Sequence, residues 1–147
     1  MKPCIAFVDE ILAVHETYHP TSELRRYRDY IETICSTVRE AGVRFEYNCD
    51  PADQRSGVSW GDQISGERGI LRWHLLSAKD TEALYDLVHE FGHVLLGRPD
   101  PNDHSTYDWE AKAWCSAWRA MIRLHPEIVG HHHAFIARRD KCLSSYR

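Results

Sequence analysis

Residues 86–97 read D-L-V-H-E-F-G-H-V-L-L-G and contain the pattern H-E-x-x-H, from His89 to His93. Apolar side chains recur through this stretch at helical spacing, which predicts a helix that begins near residue 80 and ends at Gly97. Two imidazoles four residues apart on a helix lie on the same face, so His89 and His93 can bind one metal ion. The stretch therefore predicts a metal-binding helix around which the rest of the chain is organised.

The residue types in this pattern favour a catalytic zinc site. Zn²⁺ accepts nitrogen ligands in tetrahedral geometry, and a catalytic site leaves one position for water. Glu90 can take a proton from the zinc-bound water, whose pKa the metal lowers to about 7, and pass it to a leaving amine. The alternative is a helix that carries two histidines on its polar side without a metal. With ten histidines in the chain, so short a pattern can also arise by chance.

A third ligand decides whether zinc is held, and Glu110 is our candidate. It lies in the first turn of a helix predicted over residues 107–125, on the side that carries Trp114 and Ala117. We therefore expect Glu110 to point inward, where a carboxylate without a partner is costly and a metal ion would supply one. Two alternatives are open: His104 as the third ligand, and a glutamate placed near a helix N-terminus for its dipole alone.

Hydrolysis of a carbonyl also needs a donor for the oxyanion that forms during the attack. Tyr107 and His104 are the first candidates for this catalytic role. The triplet at residues 131–133, H-H-H, is a further candidate. A solvated surface tract with weak affinity for metals is the favoured explanation of this triplet.

Composition places the chain among globular proteins. It has 147 residues, of which 43% are hydrophobic and 27% charged, and this length fits one domain over residues 1–147. A formal charge of −4 gives no sign of general affinity for nucleic acid. No apolar run reaches the roughly 18 residues of a membrane span, and the N-terminus turns acidic before a signal-peptide core could form. Five cysteines without a C-x-x-C pair indicate no disulfide framework, so we expect a cytoplasmic setting.

The remaining periodicity predicts an α+β domain. A strand next to the metal helix, over residues 70–76, is expected to be an edge strand with which an extended substrate pairs. The polar stretch at residues 48–67 is either a plain connection, a small hairpin or a lid over the site. The other predicted elements are helices over residues 5–15, 21–41 and 126–143 and strands over residues 43–47 and 69–77.

Two blocks of sequence resemble a known family. H-E-x-G-H-x-x-L-G begins at His89, and E-A-x-x-W begins at Glu110. With these blocks the chain resembles the ImmA/IrrE family of zinc metallopeptidases, within the gluzincin group, over about residues 20–125. The resemblance implies a minimal zincin-like domain, with a small antiparallel or mixed sheet packed on the H-E-x-x-H helix and further helices on either side. It implies His89, His93 and Glu110 as zinc ligands and Glu90 as the general base.

Two functions follow as expectations. The first is a zinc-dependent endopeptidase that cleaves a peptide bond in a protein substrate by Glu-assisted attack of zinc-bound water. The family typically cleaves a transcriptional repressor, which makes a DNA-binding repressor the implied substrate. The second is a zinc-stabilised protein-interaction module without protease activity, against which Glu90 argues, since a structural site has no use for a general base. Neither function involves direct contact with nucleic acid or a membrane, and the oligomeric state is open.

Overall fold

The computed structural model describes residues 2–53, 55–61, 68–76, 80–102 and 106–146. These residues form a mixed α+β domain, as predicted, with five α-helices and a three-stranded sheet. The elements are α1 Cys4–Tyr18, α2 Arg28–Glu40, β1 Val43–Asn48, β2 Gly57–Trp60, β3 Gly69–His74, α3 Asp80–Leu96, α4 Tyr107–Leu124 and α5 His132–Leu143, with short 3₁₀ turns at Leu24–Tyr27, Pro126–His131 and Ser144–Tyr146.

Helix α3 is the helix predicted from the H-E-x-x-H stretch, and it is buried along most of its length. Asp80 and Glu82 occupy its first turn, where negative charge suits the positive end of the helix dipole. Gly97 ends it with φ +82°, a left-handed conformation that glycine adopts without strain. The apolar residues of α3 that enter the core are Ala83, Leu84, Tyr85, Leu87, Val88, Phe91 and Val94.

The sheet is mixed, with strand order β1-β3-β2. Strand β3 pairs in parallel with β1 and antiparallel with β2, so it lies at the centre of the sheet. The prediction of an edge strand over residues 70–76 is therefore wrong: both sides of β3 already form backbone hydrogen bonds. Leu71 and Trp73 are fully buried in β3, and the Trp73 indole donates to the carbonyl oxygen of Ala83 at 3.0 Å, which anchors the strand to α3.

Strand β2 lies inside the stretch predicted as a loop or small hairpin, and with β3 it forms the hairpin. In the part of the chain that the structure describes, its other side has no strand partner. Helix α3 contacts β2, so this edge of the sheet runs beside the helix that carries the two histidines. The edge strand at the site is therefore β2 rather than β3.

The remaining differences from prediction are at helix ends. The helix predicted over residues 21–41 begins as a 3₁₀ turn before α2, and the last predicted helix is a 3₁₀ turn followed by α5. Cys115 is exposed on α4, and all five cysteines are free thiols. No helix among the described residues combines the length and the apolar character needed to cross a bilayer.

Candidate metal centre

Helix α3 brings the two imidazoles of the H-E-x-x-H pattern together. His89 and His93 are one turn apart, their ring centroids are 4.7 Å apart, and their Nε2 atoms are 3.1 Å apart. Both side chains are largely buried, with 16% and 13% of their surface exposed. The two Nε2 atoms are thus close enough to serve as ligands of one ion.

A glycine lets α4 pack against this part of α3. A Cβ atom on Gly92 would lie 1.9 Å from the carbonyl oxygen of Ala113, so no other residue fits here without moving α4. Glu110 lies three residues before Ala113, on the same face of α4. The Thr106 side chain caps α4 by accepting from the backbone N–H of Trp109 at 3.2 Å, which fixes the start of the helix. The close packing of α4 against Gly92 therefore places Glu110 next to His89 and His93.

The structure places Glu110 inward, with 8% of its surface exposed. Its Oε2 atom lies 2.5 Å from Nε2 of His93 and 3.5 Å from Nε2 of His89. Ligands bound about 2.0 Å from a tetrahedral ion stand roughly 3.3 Å apart, which two sides of this triangle, 3.1 and 3.5 Å, match well. The shorter contact is a close ion pair between His93 and Glu110.

Electrostatics reinforce this contact. Burial acts to raise the pKa of Glu110, but its close contacts with both histidines and the charge of His93 hold it well below its usual range. Burial likewise acts to lower the pKa of His93, yet its contact with Glu110 and the nearby carboxylates raise it. Glu110 is therefore an ionised carboxylate inside the protein, which is the form that binds a cation.

Glu90 occupies a different position beside the same histidines. It is 5% exposed, and its Oε1 atom is 3.8 Å from Nδ1 of His89, the ring nitrogen that does not face His93. Burial raises the pKa of Glu90. His89, Glu90 and His93 also bring one possible ligand atom each to within 4.8 Å of one another, so this group could hold a metal ion as well. Glu110 Oε2 lies closer than the Glu90 carboxylate to the facing Nε2 atoms of the two histidines.

Three buried polar atoms at this place have no hydrogen-bond partner within the described structure: Oε2 of Glu90, Oε2 of Glu110 and Nε1 of Trp114. A buried carboxylate oxygen is stabilised by a cation or a hydrogen-bond donor, and a buried indole N–H is stabilised by an acceptor. A metal ion and a carbonyl-containing ligand bound here would supply these partners. Two imidazoles and a carboxylate are also a donor set that suits a divalent transition metal, so the residues present fit a metal site.

Trp114 also fixes one of the imidazoles. Its ring stacks on His89, with centroids 4.3 Å apart and planes 3° from parallel. The stack leaves the Nε2 edge of His89 directed at His93 and Glu110. Trp114 is one turn after Glu110 on α4, so one helix supplies both a candidate ligand and the support of another.

Two cavities adjoin the site, and both are lined by Glu90, Glu110 and Ser56. The one on the His93 side is walled by the edge strand β2 and by the rings of Trp60 and Trp109. The one on the His89 side is lined by polar and charged side chains, namely Arg55, Asp86, Arg138, Ser145 and Tyr146.

Of the two predicted oxyanion donors, the structure describes Tyr107 alone and places it away from the site. Tyr107 begins α4 and is half-buried against the core, outside the residues that line the two cavities. His104 lies outside the described residues. Of the histidine triplet, His131 accepts or donates a hydrogen bond at 2.8 Å with the Tyr85 hydroxyl, inside an aromatic cluster.

Sequence reasoning missed two features. The Tyr146 hydroxyl donates to Oε1 of Glu110 at 2.7 Å, although no motif links the end of the chain to α4. The chain also carries a second H-E-x-x-H pattern, at residues 15–19, where α1 ends. The second pattern was visible in the sequence itself, whereas the Tyr146 contact depends on how α5 packs.

No protein-family model matches the chain, and comparisons with curated proteins and with solved structures return no significant match. The resemblance of the two sequence blocks to the ImmA/IrrE family therefore stays a prediction, and the function rests on the geometry of the site.

Proposed function

We propose that this chain is a zinc-dependent endopeptidase with a zincin-like fold of the ImmA/IrrE type. The supporting observation is the triangle formed by Nε2 of His89, Nε2 of His93 and Oε2 of Glu110, with the buried carboxylate of Glu90 beside it. A structural zinc site uses four protein ligands, whereas a catalytic site uses three and leaves a position for water or substrate. Here three candidate ligands are accompanied by one further acid, Glu90, whose Oε2 atom has no partner in the described structure. This arrangement favours a catalytic site over a purely structural one.

His89, His93 and Glu110 would hold the ion. Bound zinc would supply Lewis-acid polarisation of the scissile carbonyl and a lowered pKa for a water molecule. Glu90 takes the proton of the attacking water, since its Oε2 atom has no other partner in the described structure. A carboxyl whose pKa is raised by burial is also suited to give that proton to the leaving amine. Trp114 also lines the His89-side cavity, and its indole N–H is a buried donor without a partner in the described structure.

The edge strand β2 suggests how a protein substrate binds. Its unpaired side offers backbone donors and acceptors to an extended segment, which gives affinity independent of side chains. The Trp60 and Trp109 rings then accept an apolar side chain of that segment. The family resemblance makes a DNA-binding repressor in the same cytoplasm the first substrate to test.

Glu90→Gln tests the proposal. The change keeps the shape of the side chain but removes its ability to take a proton, so cleavage should fall by about 10²- to 10⁴-fold while zinc remains bound. The measurement compares new protein termini in cells that express the wild type or Glu90→Gln, together with the zinc content of each purified protein. Glu16→Gln, at the same position of the second H-E-x-x-H pattern, is the matched control and should cleave normally.

Three results would contradict the proposal in different ways. New termini that persist in Glu90→Gln would remove Glu90 from the chemistry. Stoichiometric zinc with no new termini in any variant would favour the zinc-stabilised interaction module. A wild type that purifies without zinc and does not take it up would leave His93 and Glu110 as an ion pair within a metal-free domain.

A further inference from the structure

Tyr146 reaches the site from the last turn of the chain. The 3₁₀ turn Ser144–Tyr146 follows α5, and hydroxyls of Ser144 and Ser145 donate to the carbonyl oxygens of Lys141 and Cys142 at 2.6 and 2.9 Å. These two bonds tie the turn to the end of α5. The Tyr146 ring is 39% exposed at the mouth of the His89-side cavity, while its hydroxyl extends inward to Glu110.

Helix α5, which carries this turn, is itself attached to the metal helix. The Arg138 guanidinium donates two hydrogen bonds to the carboxylate of Asp86 on α3, at 2.9 and 2.8 Å. Asp86 lies one turn before His89 and Glu90, so the ion pair fixes α5 against the part of α3 that bears the site. The position of Tyr146 is therefore set by packing rather than by an unsupported chain end.

The hydrogen bond makes the two oxygens of Glu110 unequal. Oε1 accepts from the Tyr146 hydroxyl at 2.7 Å, and Oε2 faces the two imidazole nitrogens. A carboxylate can bind a metal through one oxygen or through both, and the partner of the second oxygen decides between these modes. With Oε1 committed to a phenol, Oε2 alone is directed at the place where the ion would bind.

We propose that Tyr146 is a positioning residue that holds Glu110 as a ligand through one oxygen. The proposal rests on the metal site of the proposed function, but it does not depend on peptidase activity. Hydrogen-bond partners of ligating side chains contribute about 10- to 100-fold to metal affinity, because they fix the ligand before the ion arrives. A phenylalanine at position 146 would retain the ring and its packing but release Oε1.

Tyr146→Phe should therefore weaken zinc binding by about 10- to 100-fold, measured by competition with a chromophoric chelator. Binding of Co²⁺ gives a second readout, since its visible absorption reports coordination number and geometry. A released Glu110 that binds through both oxygens should lower the intensity of the cobalt bands relative to the wild type. Tyr85→Phe is the matched control: it removes a tyrosine hydrogen bond to His131, away from Glu110, and should change neither readout.

A double-mutant cycle isolates the contact. In a Glu110→Ala background, Tyr146→Phe should have no further effect on zinc affinity, because the group it positions is gone. Unchanged zinc affinity and an unchanged cobalt spectrum in Tyr146→Phe would overturn the proposal. If cleavage fell in that variant while both metal readouts stayed at wild-type values, Tyr146 would be a donor to the substrate instead. A wild type that binds no zinc would refute the metal site itself, which is a distinct result.

Discussion

Two turns of this molecule carry the same pattern, H-E-T-Y-H at residues 15–19 and H-E-F-G-H at residues 89–93. In both, the centroids of the two imidazole rings lie 4.7 Å apart. The pattern thus places two imidazole rings at the same separation at the end of α1 and within α3. Whatever makes one pair a candidate metal centre must come from the residues around the rings.

The second residue of each pattern differs in its surroundings. Glu16 is about one-third exposed and forms an ion pair with Arg25, whose guanidinium lies 2.5 Å from its carboxylate. Glu90 is almost fully buried, and one of its oxygens has no partner in the described structure. The Glu16 carboxylate is already paired with an arginine at the surface. In contrast, one carboxylate oxygen of Glu90 lacks a partner in the described structure and lies next to two imidazoles.

The fourth residue differs even more. Tyr18 is 51% exposed at the end of α1, whereas Gly92 is buried under the backbone of α4. The missing side chain at Gly92 is what brings the carboxylate of Glu110 to His89 and His93. A metal site on a helix therefore depends on the small residue that lets a second helix approach, as well as on the histidines.

The α1 pattern has a structural task instead. Nδ1 of His15 is 2.9 Å from the Ser22 hydroxyl, which accepts from the backbone N–H of Leu24 at 3.1 Å. The backbone N–H of the next residue, Glu23, donates to the Asp80 side chain at the start of α3 at 3.2 Å. His15 thereby fixes the turn between α1 and α2 onto the metal helix, which explains why a histidine is fully buried there.

The fifth residue of each pattern gives the largest expected contrast. His93→Gln should lower zinc affinity by more than about 100-fold, since it removes a ligand rather than the partner of a ligand. His19→Gln should leave zinc binding at the wild-type value, with about one ion per chain. Elemental analysis of the purified proteins and chelator competition measure both. Two zinc ions in the wild type, or a loss of zinc in His19→Gln, would show that both patterns bind metal.

The fourth residue gives the next contrast. Gly92→Ala places a methyl group against the Ala113 carbonyl, so it should lower the free energy of unfolding by about 3 kcal/mol, the upper end for overpacking. Because α4 must move, the same variant should also bind zinc more weakly. Tyr18→Ala, at the equivalent position of α1, should change the free energy of unfolding by no more than about 0.5 kcal/mol.

Urea unfolding monitored by circular dichroism gives the stabilities, and chelator competition gives the zinc affinities. A Gly92→Ala variant with wild-type stability and wild-type zinc affinity would mean that α4 does not depend on this contact. A Gly92→Ala variant that is destabilised yet binds zinc normally would separate the packing of α4 from the placement of Glu110.

Elements with a long, regular apolar pattern can be predicted from the sequence, whereas short elements without one cannot. Helices α3 and α4 carry long apolar stripes interrupted by cap residues, so their positions follow from the sequence alone. The inward direction expected for Glu110 follows from its place on the stripe of Trp114 and Ala117. Strand β2 has four residues, Gly57–Trp60, without a clear alternation, and it forms only because β3 offers a free side.

Features that depend on contacts between distant elements could not be predicted. The prediction that residues 70–76 form an edge strand was wrong, because strand order is set by tertiary packing. A local sequence pattern does not report that order. Gly92 stood inside a recognised motif, but its role depends on Ala113 in another helix. Tyr146 meets Glu110 only because the Arg138 ion pair holds α5 against α3. Periodicity identifies candidate ligands, and the packing of helices decides which of them meet.

Each H-E-x-x-H pattern has an arginine–carboxylate ion pair beside it. Removing the arginine of each pair gives the smallest expected difference between the two patterns. Arg138 and Asp86 are both about one-fifth exposed and are joined by two hydrogen bonds, so Arg138→Ala should cost about 2 kcal/mol of unfolding free energy and leave a largely buried carboxylate unpaired. Arg25→Ala breaks the exposed pair with Glu16 and should cost less than about 1 kcal/mol. Since α5 carries Tyr146, Arg138→Ala should also reduce zinc affinity, whereas Arg25→Ala should not. Equal losses of stability in the two variants, with zinc affinity unchanged in both, would show that α5 is not held by Asp86 and that Tyr146 keeps its place by other contacts.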